Sequence, residues 1–374
     1  MKIKNGYTKN LIRPSRYNPN DFTATGVALF YTVMLLAFFA LPYLSEFTGF
    51  SEVLWNVAQG DELFVMCVDV IISQGLILSF ALVYSAIKGV NPFSGGGYEM
   101  RFDLTPMLFG CMLVAGIQIC FSPLHYAFSE SAASFGTGGS VAEGGISGNP
   151  VWLAVYIVLT LLLPCICEEA AFRGILMRGL SRFGFFVALT LSSSLHALFH
   201  GNFQQIILQF TGGVAIGACM YVTKNFAVGA AMHFFNNLFA YGFVVFGETA
   251  KRLGVGVYDV TMSFGIIAGL MMLVTGAYYF ARYTRCKGAV ENGMRRKPVP
   301  VLMSAESRAQ NSSIVIDASQ ITEFRKYYPD AMRYKRGGFV SLNKDTKSPV
   351  LPALLLALCG VLAVVYVVLN QFGI

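Results

Sequence analysis

The 374-residue sequence predicts an all-α, polytopic membrane protein, about eight to nine transmembrane helices surrounding an intramembrane polar site. Three observations lead there. Only 13% of residues are charged and 55% are hydrophobic, where an ordinary soluble domain has roughly 25% charged residues. The apolar residues fall in blocks long enough to cross a hydrocarbon core of about 30 Å. Three of the four histidines, with two adjacent glutamates and an arginine, lie within or at the end of those blocks. Composition excludes a water-soluble globular fold.

Apolar blocks occupy approximately residues 24–47, 63–87, 104–127, 151–173, 183–200, 204–223, 225–247, 257–283 and 350–372. The first is long, follows 23 mostly polar residues and has no small-residue cleavage pattern, so it is expected to be a retained span. The second carries Asp69 and Gln74 in MCVDVIISQ, and the third ends near His125, an expected interfacial residue beside Tyr126. The fourth runs VWLAVYIVLTLLLPCICEEAAFRGIL, and the fifth contains LSSSLHALFHGNF. The sixth holds Gly213 and Gly217 at the spacing that lets helices pack closely. The seventh is NFAVGAAMHFFNNLFAYG, and the eighth and ninth are predominantly apolar. Seven of eight cysteines lie inside apolar blocks and no CxxC pair occurs, so no disulfide framework is expected.

Basic residues near span ends are retained on the cytoplasmic side. Lys2, Lys4, Lys9, Arg13 and Arg16 precede the first span, whereas 48–62 has no Lys or Arg. Alternation continues along the chain, with Lys251 and Arg252 the misfit, and predicts a cytoplasmic N-terminus. The resulting division is a basic cytoplasmic N-terminus (1–23), N-terminal spans (24–150), a polar-motif core (151–247), an eighth span (248–283), a basic cytoplasmic loop (284–349) and a last span (350–374). The loop balances thirteen basic against six acidic residues. It is expected to contact anionic lipids or a cytoplasmic partner. No stacking platform or recognition motif accompanies the charge, so nucleic acid is not an expected partner.

Ionisable groups at bilayer depth are costly unless paired or hydrated, so they are functional candidates. Glu169 and Arg173, four apart, share a helix face and can pair, leaving Glu168 turned roughly 100° away. His196 and His200 repeat this spacing, as do His233 and Asn237, with Asn236 rotated off that face. A carboxylate, imidazoles and an amide suit general-base activation of water and stabilisation of an oxyanion. Each pair alone could equally serve helix packing. Asp69 either faces the same cavity with Gln74 or bonds a neighbouring helix; Ser192, Ser193 and Ser194 read as small packing residues.

At these residues the sequence resembles the CPBP family of intramembrane proteases, the CAAX prenyl endopeptidase and bacteriocin-processing or self-immunity group, also called Abi. Glu168-Glu169-x-x-x-Arg173, His200 in SSLHALFH, and His233-x-x-x-Asn237 carry the resemblance in order over roughly 151–240. It implies peptide-bond hydrolysis inside the membrane. By that resemblance Glu168, assisted by His200, activates a water, His233 and Asn237 steady the oxyanion, and Glu169 and Arg173 complete or brace the site. The implied partner is a membrane-associated peptide or protein substrate in the lipid bilayer, and the expected location is the plasma membrane of a bacterium.

His196 departs from the Phe-x-x-x-His usual in that family. The resulting His-x-x-x-His has the spacing of a zinc-binding helix, although Ala197 replaces the adjoining glutamate of HExxH. The glutamate-activated reading requires no cofactor; a divalent metal such as zinc, held by His196, His200, His233 and a glutamate, is the alternative. Depth raises a further question. A fifth span starting near 183 puts His200 about 25 Å deep, against about 12 Å for His233 in its own span. They meet only if the fifth span starts inside the membrane, tilts or is shorter; amphipathic RGILMRGLSRFG, running partly embedded, would supply the shift. Two other functions compete with the protease: a non-catalytic immunity or scaffold protein of the same fold, and an ion-coupled transporter using Asp69, Glu168 and the histidines as a relay. No internal repeat supports the transporter.

Overall fold

The computed structural model describes residues 22–93, 98, 100–135, 149–253, 265–284 and 350–372. The basic N-terminus, most of the Gly/Ser-rich outer loop and nearly all of the basic 284–349 loop lie outside the described residues. Among the described residues the regular structure is helical, with no extended strand. The helices are α1 (Ala24–Thr48), α2 (Phe50–Val57), α3 (Glu62–Lys88), α4 (Leu104–Phe135), α5 (Pro150–Leu180), α6 (Phe185–Phe199), α7 (Phe203–Thr223), α8 (Phe226–Leu253), α9 (Gly265–Thr284) and α10 (Val350–Phe372). Seven of them, α1, α3, α4, α5, α7, α9 and α10, are long and apolar enough to cross a membrane. The protein is an integral membrane protein. α8 carries His233, Asn236 and Asn237 in its length, which dilutes the apolar character of an otherwise span-sized helix.

Local chemistry sets the helix ends. Thr23 accepts from Gly26 N at the start of α1, Asp61 from Leu63 N and Phe64 N at the start of α3, and Asn149 from Val151 N ahead of Pro150. Gly49 and Gly89 end α1 and α3 at φ 67°, a left-handed conformation that glycine adopts without strain. The additional helix α2 occupies the connection between the first two spans, where the sequence suggested only a loop.

α3 packs on α5, α4 on α7 and α8, α6 on α7, and α10 on α1 and α6. Large apolar side chains such as Leu29, Val33, Ile71, Leu354 and Val361 stand exposed on the outer faces, as a bilayer solvent requires. One core gathers Tyr31, Met34 and Leu35 of α1, Phe172, Ile175, Leu176 and Leu180 of α5, and Cys359 and Ala363 of α10.

That core takes in the first part of RGILMRGLSRFG. The fourth span does not stop near residue 173 but runs on as one helix to Leu180. Ile175, Leu176, Met177 and Leu180 are fully buried against other helices of the protein. Gly174 permits this course. A Cβ there would stand 2.0 Å from the Pro92 carbonyl oxygen, so only glycine lets the backbone following α3 approach. α6 is 15 residues long, about 22 Å of helix, and its last turn brings His196 and His200 close to Glu168.

Candidate functional site

The site forms where α5 changes helical type. Glu169–Leu176 is π-helical, with i→i+5 hydrogen bonding that increases the residues per turn and reduces the rotation between successive side chains. Glu168 and Glu169 therefore diverge less than on an α-helix, and both reach the same imidazole. His233 Nδ1 donates to Glu169 Oε1 at 2.6 Å, and His233 Nε2 lies 3.7 Å from Glu168 Oε2. The spacing-based picture of Glu168 turned away from the Glu169 face holds for an ideal α-helix and is modified by this π segment.

Glu169 and Arg173 make the ion pair their spacing allowed, Nη1 to Oε1 at 2.9 Å, and neither is exposed to solvent. Arg173 Nη2 also donates to the Gly213 carbonyl of α7 at 3.2 Å. A Cβ on Gly213 would stand 3.0 Å from that nitrogen, so one glycine of the sixth-span pair makes room for the guanidinium. Gly217 faces Leu189 and Met177, the close helix contact expected of it. A buried charge needs pairing; Glu169 meets Arg173 and His233 through Oε1, while its Oε2 is buried without a partner among the described residues.

Glu168, 5% exposed, is held on both oxygens. His196 Nε2 donates to Oε2 at 2.9 Å, and Gln74 Nε2 of α3 donates to Oε1 at 2.9 Å. The direct imidazole partner of Glu168 is thus His196 rather than His200. His200, one turn further along at the end of α6, has its ring centroid 5.1 Å from that of His196, and its Nε2 is buried with no hydrogen-bond partner among the described residues. Oxygens and ring nitrogens of Glu168, His196 and His200 lie within 4.8 Å of one another. The His196 ring stands edge-on to Phe172, centroids 4.6 Å apart, and 6.0 Å from His233. Tyr31 of α1 donates to the Leu195 carbonyl at 2.9 Å, fixing α6 beside His196.

Asn237 is placed one step away. Its Nδ2 donates to the Thr160 carbonyl of α5 at 3.2 Å, and its Oδ1 accepts from Asn236 at 3.4 Å. Asn236, which the helical wheel turned off the His233 face, is buried and accepts from Gln118 of α4 at 2.5 Å. Asp69 is exposed on α3. It is five residues from Gln74, about 140° round the helix, so the two cannot line one cavity. His125 is half-buried on α4, away from these helices' polar centre.

Sequence reasoning missed three supports: Gln74 as a direct Glu168 partner, Gln118, and Asn236. The available signal was an amide inside an apolar block, which must find a partner in hydrocarbon. Which partner it finds depends on packing between spans far apart in the chain.

Fold and site define a polytopic, all-helical membrane protein built round a buried carboxylate–imidazole centre. Residues 150–239 match the family described as Type II CAAX prenyl endopeptidase Rce1-like. The match covers about a quarter of the chain, and it is this stretch, which carries the polar motifs, that is similar to that family. Neither a curated protein nor a solved structure matches the chain.

Proposed function

We propose that this protein is an intramembrane endopeptidase that hydrolyses a peptide bond in a membrane-associated peptide or protein tail, by a water activated at Glu168. The observation that carries the reading is the arrangement of Glu168, held by His196 and Gln74, beside a buried His200 nitrogen without a partner. A water between Glu168 and His200 would satisfy that nitrogen and present its proton to the carboxylate. The oxygen attacks the scissile carbonyl, Glu168 takes the proton, and the same group then delivers it to the leaving amine.

His233 has its Nδ1 committed to Glu169, so its Nε2 faces the reacting centre. The ring stands where it can steady the developing oxyanion, with Glu169 holding its orientation. Asn237 requires release from the Thr160 carbonyl before its amide can join. Arg173 holds Glu169 and thereby the His233 ring. The reading needs no cofactor. It places the N-terminus in the cytoplasm, the protein in a bacterial plasma membrane, and the basic loop against anionic lipid or a cytoplasmic partner.

The test is a peptide-level mass-spectrometric comparison of cells carrying the wild-type chain or Glu168→Gln at equal membrane levels. A precursor that accumulates as its product disappears supports hydrolysis and names the cut site. Unchanged peptide profiles with an unchanged phenotype favour the non-catalytic immunity or scaffold protein instead.

A further inference from the structure

We propose that α10 is a working wall of the site, in which Tyr366 and Asn370 are positioning residues that hold the turn at His200. The inference deepens the hydrolytic reading and rests on it for its kinetic arm. His200 ends α6, where the chain reverses into α7. Gly201 follows in the left-handed region at φ 64°, its N–H bonded to the Leu198 carbonyl, and Asn202 caps the next turn through Gln204 N at 2.7 Å. A helix end lacks the i→i+4 hydrogen bonds that lock a helix interior, so its position is set by what packs on it.

Two helices from outside residues 150–239 supply that packing. On one side of His200, the Phe199 ring is seated against Tyr31 and Phe38 of α1, with centroids 6.2 and 4.7 Å away. On the other, buried Gly201 lies against Tyr366 and Asn370 of α10. A Cβ at residue 201 would stand 2.8 Å from the Tyr366 ring and closer still to Asn370 Nδ2, so glycine alone lets α10 come down on this backbone. The rotation of α10 is itself fixed. Leu356, Cys359, Ala363 and Val367 are buried at steps of three and four, while Leu358, Val361 and Val365 stand exposed on the opposite side. Cys359 Sγ lies 3.1 Å from Thr32 Oγ1 and donates to the Ala28 carbonyl at 3.3 Å, which sets the register of α10 on α1. Tyr366 and Asn370 continue the buried face toward the end of the helix, and so meet the turn. Neither touches the reacting groups. They place the His200 backbone, and through it the imidazole beside Glu168, where a displacement of about 1 Å can slow a reaction on the order of a hundredfold.

The experiment compares the full-length chain with Tyr366→Ala, Tyr366→Phe, Asn370→Ala and, as a control on the opposite face of α10, Val361→Ala, all in lipid nanodiscs. Hydrogen–deuterium exchange over residues 199–205, read by mass spectrometry, is expected to rise about tenfold in Tyr366→Ala and Asn370→Ala. It stays at the wild-type rate in Val361→Ala and in Tyr366→Phe, whose ring carbons make the contact. On a peptide that the wild type cleaves and Glu168→Gln does not, the two alanine variants are expected to lose about tenfold in kcat with KM unchanged, and Tyr366→Phe to keep full activity. General loosening shows as faster exchange throughout α8 as well. Asn370→Ala then decides, since Asn370 is exposed and its truncation empties no core. Wild-type exchange over 199–205 in both alanine variants overturns the proposal, as does faster exchange there with wild-type kcat. Exchange is read without substrate, so a chain in which Glu168→Gln alters no cleavage loses the hydrolytic reading, while exchange over 199–205 still decides whether α10 holds the turn.

Discussion

Gln74 and Glu168, 94 positions apart, meet through a 2.9 Å hydrogen bond from the amide to Oε1. α3 thereby supplies a direct partner to the glutamate from outside the 150–239 family match. Gln74→Leu removes the donor and leaves a buried carboxylate oxygen unsatisfied, a loss of about 1–3 kcal/mol. If Glu168 is the base, kcat for cleavage falls roughly 5- to 150-fold with KM little changed. Gln74→Glu is expected to be worse, since it sets two carboxylates against each other. Steady-state kinetics on purified variants separates the two effects.

Breaking the Glu169–Arg173 pair acts chiefly on stability. Both groups are fully buried, so Arg173→Met strands a carboxylate and costs about 3–5 kcal/mol. The double variant Glu169→Gln with Arg173→Met is expected to recover much of that loss, because no unpaired charge stays behind. Thermal unfolding in detergent checks both. Equal melting temperatures for the single and double variants would contradict the pairing argument.

Gly174→Ala is expected to damage the protein more than Gly217→Ala. The added carbon meets backbone oxygen of Pro92 at 2.0 Å in the first case, and a movable Leu189 methyl at 2.7 Å in the second. Backbone cannot rotate aside as a side chain can. Melting temperature and expression in membranes rank the two, and near-equal losses would show that the Pro92 approach is not rigid.

The Gln118–Asn236–Asn237 chain orients the Asn237 amide through neighbours on α4 and α5. Gln118→Leu leaves the buried Asn236 oxygen short of its donor, a loss of about 1–3 kcal/mol of stability, and is expected to lower kcat as well. A variant with wild-type kcat would remove Asn237 orientation from the mechanism.

Much of this was legible in the chain itself. Hydrocarbon thickness dictates the length of an apolar block, so α1, α3 and α10 lie within a residue or so of their expected limits. Helical spacing likewise anticipated that Glu169 and Arg173 would pair. Both follow from short-range rules: a solvent that tolerates only saturated helices, and a fixed rotation per residue.

The partners across helices were decided by tertiary structure. A helical wheel cannot show that Glu169–Leu176 is π-helical, nor that both glutamates lie beside His233. Nor can it show that His196 rather than His200 meets Glu168, because that depends on how α6 packs beside α5 and on the Tyr31 hydrogen bond from α1 to Leu195. The sequence by itself determined the membrane class, the limits of the first, second and last spans and the types of polar residue in the apolar blocks. Packing of spans from distant parts of the chain decided which of those residues touch, because in a bilayer each buried polar group bonds to whatever partner the neighbouring helix presents.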